Sequence, residues 1–368
     1  MNILLISMNS FSSIPVMRFI INELKIKHKL YLVECYIIGS YKFDLIKSSY
    51  IKVFNNNSEF NNQTVLFKLF KFFKVFHKIG CFALQNSKPI IYTQDYEIIA
   101  FCNVIKKILF FKKMYIVYHQ FEVVDLNKNR FKYLKSSKAD LIIFPEVNRL
   151  LYFNKFTNGH ISSLIFPNTC HVNINIEKKL DNDIFKKIGD RKVVGHVGNI
   201  GSDHFIDVLV KLIEYANEDE FFFVLIGQYD LKVSSILLKF KLKNNVLMLS
   251  YLPHLELSKI YSTIDIGIIL YKPIDINFDC CAPNKLYEYW SYGIPVLAHK
   301  LKGLNPLFIN SIYGELFNFF DSNIVIELSK KIKILERNNY LKESFIKDYD
   351  IFNFIPKLKN AIEELHEK

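Results

Sequence analysis

No C-x-x-C pair occurs among the six cysteines at 35, 81, 102, 170, 280 and 281, and a chain of 368 residues needs no disulfide framework. The thiols read as reduced and mostly buried, as in a cytosolic protein. No run of 18 or more uncharged apolar residues exists, which argues against a transmembrane helix. The start, MNILLIS, lacks the basic flank of a secretory signal and reads as a core strand. No His/Cys cluster has zinc spacing. No G-x-G-x-x-G follows the first strand, which argues against a dinucleotide oxidoreductase. Arginine is scarce, five residues in all, and no nucleic-acid-binding motif is recognisable, although lysines interleave with aromatics.

What is present is a large apolar fraction, 50% of the chain, over a length that suits two domains. The net charge of +12 is unevenly placed. Residues 1–168 hold 23 Lys and Arg against 10 Asp and Glu, and the remainder holds 25 against 26. A basic first half points to an anionic partner for that half: a membrane surface, a phosphorylated lipid or a nucleic acid.

Short apolar runs alternate with helical patterns. NILLIS (2–7), KLYLVECYI (29–37), PIIYT (89–93), MYIVYH (114–119) and ADLIIFP (139–145) read as strands, and Pro15 to Lys27 reads as a helix. After a linker near 166–192 a second series begins. KVVGHVG (192–198), EFFFVLIG (220–227), NNVLMLSYL (244–252), IDIGIILY (264–271) and PVLAH (295–299) are its strands. The fold class is α/β, with two Rossmann-like, doubly wound parallel-sheet domains facing a cleft. Their expected limits are 1–168 and 169–352, with an amphipathic helix at 353–368 that could cross back to the first domain. Ligands of such sheets bind beyond the carboxyl ends of the strands. That rule gathers the loops at 7–18, 94–97, 119–122, 198–204, 227–230, 271–283 and 299–304.

The stretch CAPNKLYEYWSYGIPVLAHK (281–300) carries the most specific pattern. Pro283 suits a first helical position and Gly293 a C-terminal cap, so a helix is expected from Pro283 to Tyr292. Residues 285, 288, 289 and 292 share one face, and Leu286 and Trp290 share another that should be core. The helix start offers backbone N–H groups and a positive dipole end, to which Lys285 adds a charge, and phosphate suits such a place. Glu288, one turn on, could accept hydrogen bonds from ribose hydroxyls. The plainer alternative is an i,i+3 surface salt bridge.

PNKLYEYWSYGIPVLA resembles the donor-site helix of GT-B-fold glycosyltransferases, especially bacterial retaining enzymes of the family 4 type, at Pro283, Lys285, Glu288, Gly293, Pro295, Val296 and Ala298. Looser likenesses follow in the right order: VVGHVGNIGSDHFIDVL, FFFVLIG, the segment from Asn244 to Tyr271, IFPNT, MYIVYHQFE and ADLIIFPE. The resemblance implies a 1–168 acceptor-binding domain and a 169–352 donor domain. It implies transfer of a sugar from a nucleoside-diphosphate sugar to a lipid-linked or cell-surface glycan, with retention and without a protein nucleophile. Glu288 would hold the ribose. Lys285, with Pro283 and Asn284 at the helix start and the loop at Gly198–Asn199, would hold the diphosphate. Gly227 would let backbone approach the nucleotide, and His119, closing its strand, would stand near the sugar. Two departures are visible. Cys280 stands where many members carry a second Glu; Asp279 beside it could replace that sugar contact or be a simple loop carboxylate. The loop NIGSDH (199–204) lacks the Arg and Lys common there. A catalytically degraded member that binds without transfer stays open for that reason.

Three other signals complete the expectations. His196, inside a strand, reads as structural. DND at 181–183 matches a metal–diphosphate triplet of another fold and reads as chance; neither a metal nor a cofactor is expected. In LFKLFKFFKVFHK (66–78), Lys68, Lys71, Lys74 and Lys78 share a stripe opposite Leu66, Leu69, Phe70, Phe73 and Phe76. IKKILFFKKM (105–114) repeats the mixture. Both suit either a surface helix packed through its Phe face or a patch for anionic lipid. The expected place is cytoplasmic, peripheral at the inner face of the membrane.

Overall fold

The computed structural model describes residues 1–8, 11, 14–34, 49–52, 65–123, 138–155, 162–172, 186–240, 243–250, 252 and 254–367, with backbone alone at 49–52, 65–71 and 254–255. The chain divides into two compact units, Met1–Pro167 with Ile351–Lys368, and Asn168–Asp350.

The first unit runs β1 (Asn2–Ser7), α1 (Pro15–Lys27), β2 (Lys29–Glu34), β3 (Ser49–Lys52), α2 (Val65–Gln85), β4 (Ile90–Thr93), α3 (Tyr96–Ile108), β5 (Tyr115–His119), β6 (Leu141–Phe144), α4 (Val147–Asn154) and β7 (Ser162–Ile165). Its seven strands are parallel in the order β3-β2-β1-β4-β5-β6-β7. The central strands are buried on both faces, which is why they read as continuous apolar runs.

The second unit runs β8 (Lys192–Val197), α5 (Ile206–Tyr215), β9 (Phe221–Ile226), α6 (Leu231–Leu237), β10 (Val246–Leu249), α7 (His254–Tyr261), β11 (Ile266–Ile269), α8 (Ile276–Asp279), α9 (Asn284–Ser291), β12 (Val296–His299), β13 (Gly314–Phe317), α10 (Ile324–Ile334) and α11 (Asn339–Asp348). Six parallel strands lie in the order β10-β9-β8-β11-β12-β13. The order reverses between β1 and β4 in the first sheet and between β8 and β11 in the second. In open sheets that reversal opens a crevice at the strands' carboxyl ends. The chain then returns to the first unit as α12 (Ile355–Glu367). Ile355, Leu358, Ile362 and Leu365 join Val16, Ile20 and Leu24 of α1 in one core cluster. Lys27–Glu363 and Lys359–Glu23 ion pairs flank the contact, each at 2.9 Å.

One expectation needs correction in part. Of the expected Phe face of α2, Phe73 turns to solvent, Phe76 packs half-buried against the core cluster, and the side chains of Leu66, Leu69 and Phe70 lie outside the described residues. Val75, Ile79, Phe82 and Ala83 are buried, whereas Phe73 is 67% exposed. Phe73 stands about 160° around the helix from Val75, so the line of Val75, Ile79, Phe82 and Ala83 meets the sheet and Phe73 does not. Phe72 and Phe76 rest on Phe101 of α3 instead. Lys74 and Lys78 are half-buried. The side chains of Lys68 and Lys71 lie outside the described residues, as do residues 181–183. Of the five described cysteines, Cys102 and Cys280 are buried and Cys81, Cys170 and Cys281 are half-buried, all as thiols. Among the described residues no helix is long and apolar enough to cross a membrane.

Candidate active site

The helix α9 starts one residue later than expected. Pro283 is its N-cap, and a ψ of 147° leaves helical geometry to begin at Asn284. Proline brings no side-chain acceptor, so no side chain caps the first turn. The other end closes as expected: Gly293 follows the C-cap at a φ of +71°, which a side chain rarely adopts. Every residue from Leu286 to Ser291 is buried, and α9 is a core element.

Lys285 and Glu288 do pair, Nζ to Oε2 at 2.7 Å, but not at the surface. The Glu288 side chain is 7% exposed and that of Lys285 26%. Glu288 Oε2 also accepts the Tyr261 hydroxyl at 2.6 Å. A carboxylate so far from water needs such donors, because desolvation would otherwise raise its energy by several kcal/mol. Burial first, and then the nearby Glu288 carboxylate, hold the Tyr261 phenol well above its usual range. A small cavity beside Glu288 is lined by Cys170, Ser258, Ser291 and Tyr292.

Three of the expected glycine and lysine positions converge. Gly198 has a φ of +141° and Gly227 one of +151°. A Cβ on Gly227 would stand 1.9 Å from the Gly198 carbonyl oxygen, and one on Gly198 would stand 3.8 Å from Lys285 Cγ. The loops after β8 and β9 run side by side: Gly198 N–H donates to Ile226 at 2.8 Å and Ile200 N–H to Gln228 at 2.9 Å. The room at Gly227 is therefore taken by the neighbouring loop. That loop, with exposed Asn199, lies against the Lys285 stem.

The other expected residues have partners of their own. Asp279 accepts from Lys302 Nζ at 2.5 Å and from Lys302 N–H at 3.2 Å, on the loop after β12. Cys280 is buried, and Gly303 packs so closely that its Cβ would meet the Cys280 carbonyl carbon at 2.7 Å. His119 ends β5 in the first unit. Its Nδ1 shares a 2.7 Å hydrogen bond with the Tyr92 hydroxyl, its ring stacks on Phe121, and its Nε2 has no partner among the described residues. Burial depresses its pKa to about 3, so it is neutral at ordinary pH. His196 is buried as expected, with Nδ1 2.9 Å from the Ile268 carbonyl and a pKa lowered by burial to about 4. Among the described residues no three His, Cys, Asp or Glu are grouped to hold a metal.

Sequence reading missed Tyr261 and Tyr289. The Tyr289 hydroxyl donates to the Gly195 carbonyl at 2.8 Å and accepts from Val197 N–H at 2.9 Å. The β8–β11 ladder spans only Val194–Ile266 and Gly195–Gly267, so the hydroxyl serves backbone groups at the sheet's reversal point. Gly267 leaves room for the ring, since a Cβ there would meet Tyr289 at 2.7 Å. The available signal for Tyr289 was its place on the face of Lys285 and Glu288; nothing in the spacing marked Tyr261.

Residues 177–349 match the family described as glycosyl transferases group 1. None of the curated proteins compared with the chain matches it. Solved structures similar to the whole chain include a lipopolysaccharide outer core galactosyltransferase, WaaB, in its apo form. It is 14% identical at a TM-score of 0.71, over 99% of each chain. HepE of Anabaena in complex with UDP-glucose is 14% identical at 0.70, over 99% of this chain and 100% of that one. The structure of trehalose-6-phosphate from E. coli bound with UDP-2-fluoro glucose is 13% identical at 0.73, over 100% and 99%. At these identities the likeness establishes the fold, which is GT-B.

Proposed function

Taking as premise a group 1 glycosyl transferase domain at residues 177–349 within a GT-B chain, we propose that the protein moves a sugar from a nucleoside-diphosphate sugar to a glycan or polyprenyl-linked acceptor at an anionic membrane surface, with retention. The observation that carries this reading is the convergence of Lys285, the uncapped start of α9 and the Gly198–Asn199 loop beside the buried carboxylate of Glu288. Solved structures of the same fold hold UDP-glucose and UDP-2-fluoro glucose, which supports a nucleotide-sugar donor here.

In the proposed reaction the bond from the anomeric carbon to the diphosphate breaks, and one to an acceptor hydroxyl oxygen forms. The negative charge that collects on the leaving diphosphate is met by the Lys285 ammonium and by the Asn284 and Lys285 N–H groups at the positive end of α9. Glu288 exchanges its hold on Lys285 for the ribose hydroxyls, which releases the ammonium toward phosphate. His119, neutral and with Nδ1 fixed by Tyr92, is the residue of the first unit that the proposal assigns to a sugar hydroxyl.

A second reading has its own observation. Cys280 offers no carboxylate, and Asp279 is engaged by Lys302. A protein that binds a nucleotide sugar without transferring it would tolerate both.

The test is thermal unfolding of wild type and Glu288→Ala against UDP, GDP, dTDP, ADP and CMP. A nucleotide at 100 times its dissociation constant adds about 2.7 kcal/mol to the folded state. One nucleotide is expected to raise the wild-type midpoint and leave the variant's unchanged. No shift with any of them overturns the donor site. Donor turnover by wild type, lost in Lys285→Ala, separates transfer from binding alone.

A further inference from the structure

The most exposed aromatic pair among the described residues lies at the turn between α3 and β5. Phe110 is 85% exposed and Phe111 64%, with Ile108 at 59% and Leu84, near the end of α2, at 53%. The turn is ordered by backbone bonds: Leu109 N–H donates to Ile105 at 2.7 Å and Lys112 N–H to Leu109 at 2.8 Å. Lys112 Nζ donates to the Leu84 and Asn86 carbonyls at 3.2 and 3.4 Å, which ties the turn to the last turn of α2. The two rings meet edge to face at 5.7 Å and so stand out together. A fold with a well-filled core has no internal reason to hold two ordered phenylalanines in water.

Along the turn's own sequence the charge has one sign. Residues 104–114 contain Lys106, Lys107, Lys112 and Lys113 and no Asp or Glu. Lys106 is held by Asp140 at 2.6 Å, while Lys107 and Lys113 are exposed. A second copy of this chain meeting the same patch would set lysines against lysines across an apolar centre. An anionic bilayer meets both requirements: its headgroups attract the lysines and its interface takes the rings.

We infer that the Phe110–Phe111 turn, ringed by Lys107 and Lys113, is a membrane-docking tip of the first unit for a bilayer rich in anionic lipid. The inference rests on the membrane-surface part of the proposed function and is independent of the donor. It also moves the contact away from the lysine stripe of α2. The tip precedes β5 and therefore lies at the amino edge of the sheet, while Ser7, Thr93 and His119 end their strands at the carboxyl edge. Strands of four to six residues set those edges roughly 13–20 Å apart.

The test is sedimentation of the full chain with vesicles of phosphatidylcholine, alone or mixed with phosphatidylglycerol. Binding is expected with the mixed vesicles only and is lost at high salt. Phe110→Ser with Phe111→Ser should weaken it more than tenfold. Lys107→Gln and Lys113→Gln should each weaken it about fivefold. Phe111→Trp should shift its emission to the blue on mixed vesicles, a readout that buried Trp290 does not give. The nucleotide-dependent melting of the double Phe variant should match wild type, which keeps failure of the tip distinct from failure of the donor site. Vesicle binding that survives the double variant and falls instead with Lys68, Lys71, Lys74 and Lys78 changed to Gln assigns docking to α2 and overturns the inference. No vesicle binding, or self-association abolished by the Phe variant, overturns it too.

Discussion

Glu288 sits in the core with Tyr261 and Lys285 both reaching the same oxygen. The two donors differ in what their loss leaves behind. Tyr261→Phe leaves the carboxylate with its lysine and costs about 1–3 kcal/mol of stability. Lys285→Ala leaves a buried charge with a phenol partner and costs about 3–5 kcal/mol. Urea midpoints in that order are expected, and equal costs would mean that Lys285 contributes no charge compensation. Gly227 poses a steric question at the same site. Alanine there meets the Gly198 carbonyl at 1.9 Å and must hold a φ of +151°, so the two loops have to part. Gly227→Ala is expected to cost about 1–3 kcal/mol and to abolish nucleotide-dependent melting. A variant that melts like wild type and still responds to nucleotide shows that the loop contact is dispensable.

At the scale of elements, α9 serves the sheet as well as the ligand. Tyr289 replaces a missing stretch of the β8–β11 ladder with one hydroxyl, and Trp290 Nε1 donates to the Tyr313 carbonyl at 2.9 Å, just before β13. Tyr289→Phe keeps the ring and strands a buried N–H and C=O, so about 2–4 kcal/mol should be lost, more than one surface hydroxyl accounts for. A loss below about 1 kcal/mol in urea unfolding would show that water takes over the hydroxyl's role. The legibility of the sequence follows from the same burial. Central strands such as PIIYT and EFFFVLIG were readable because both faces are covered. β3, β7 and β13 were not read, and each is an edge strand with one neighbour. In β7, SSLI, two of the four residues are exposed, so no apolar run announces it. The helix at 284–291 was legible because Pro283 and Gly293 bracket it. The roles of Tyr261 and Tyr289 were not, because a hydrogen bond across 27 or 94 residues leaves no local trace. The α2 lysine stripe was legible as a pattern, but Phe73 was misread as core where Val75, two positions along, takes that place.

For the whole molecule, protonation supplies a force that opposes folding in both units. Burial holds His119 at about 3 in the first and His196 at about 4 in the second. In an unfolded chain each imidazole takes a proton near pH 6.5. Between pH 6.5 and those depressed values the unfolded chain therefore binds the extra proton, and stability falls as the pH falls. From pH 7 to pH 5 the loss is about 2 kcal/mol per histidine, whatever the folded values are below 5. Asp95 works against this in the first unit. Burial lifts its carboxyl to about 6, despite the Ser7 hydroxyl and Met8 N–H that it accepts, so the folded chain takes that proton first and gains as the pH falls through 6. The second unit gives the cleaner measurement, because the chain's single tryptophan, Trp290, lies within it. Urea unfolding followed by Trp290 emission, at pH 7 and pH 5, is expected to lose about 2 kcal/mol more in wild type than in His196→Gln. The comparison is between two slopes, so the stability that glutamine forfeits in packing cancels. Identical pH dependence in the two proteins would mean that His196 takes its proton in the folded chain, and that the space around Nε2 admits water.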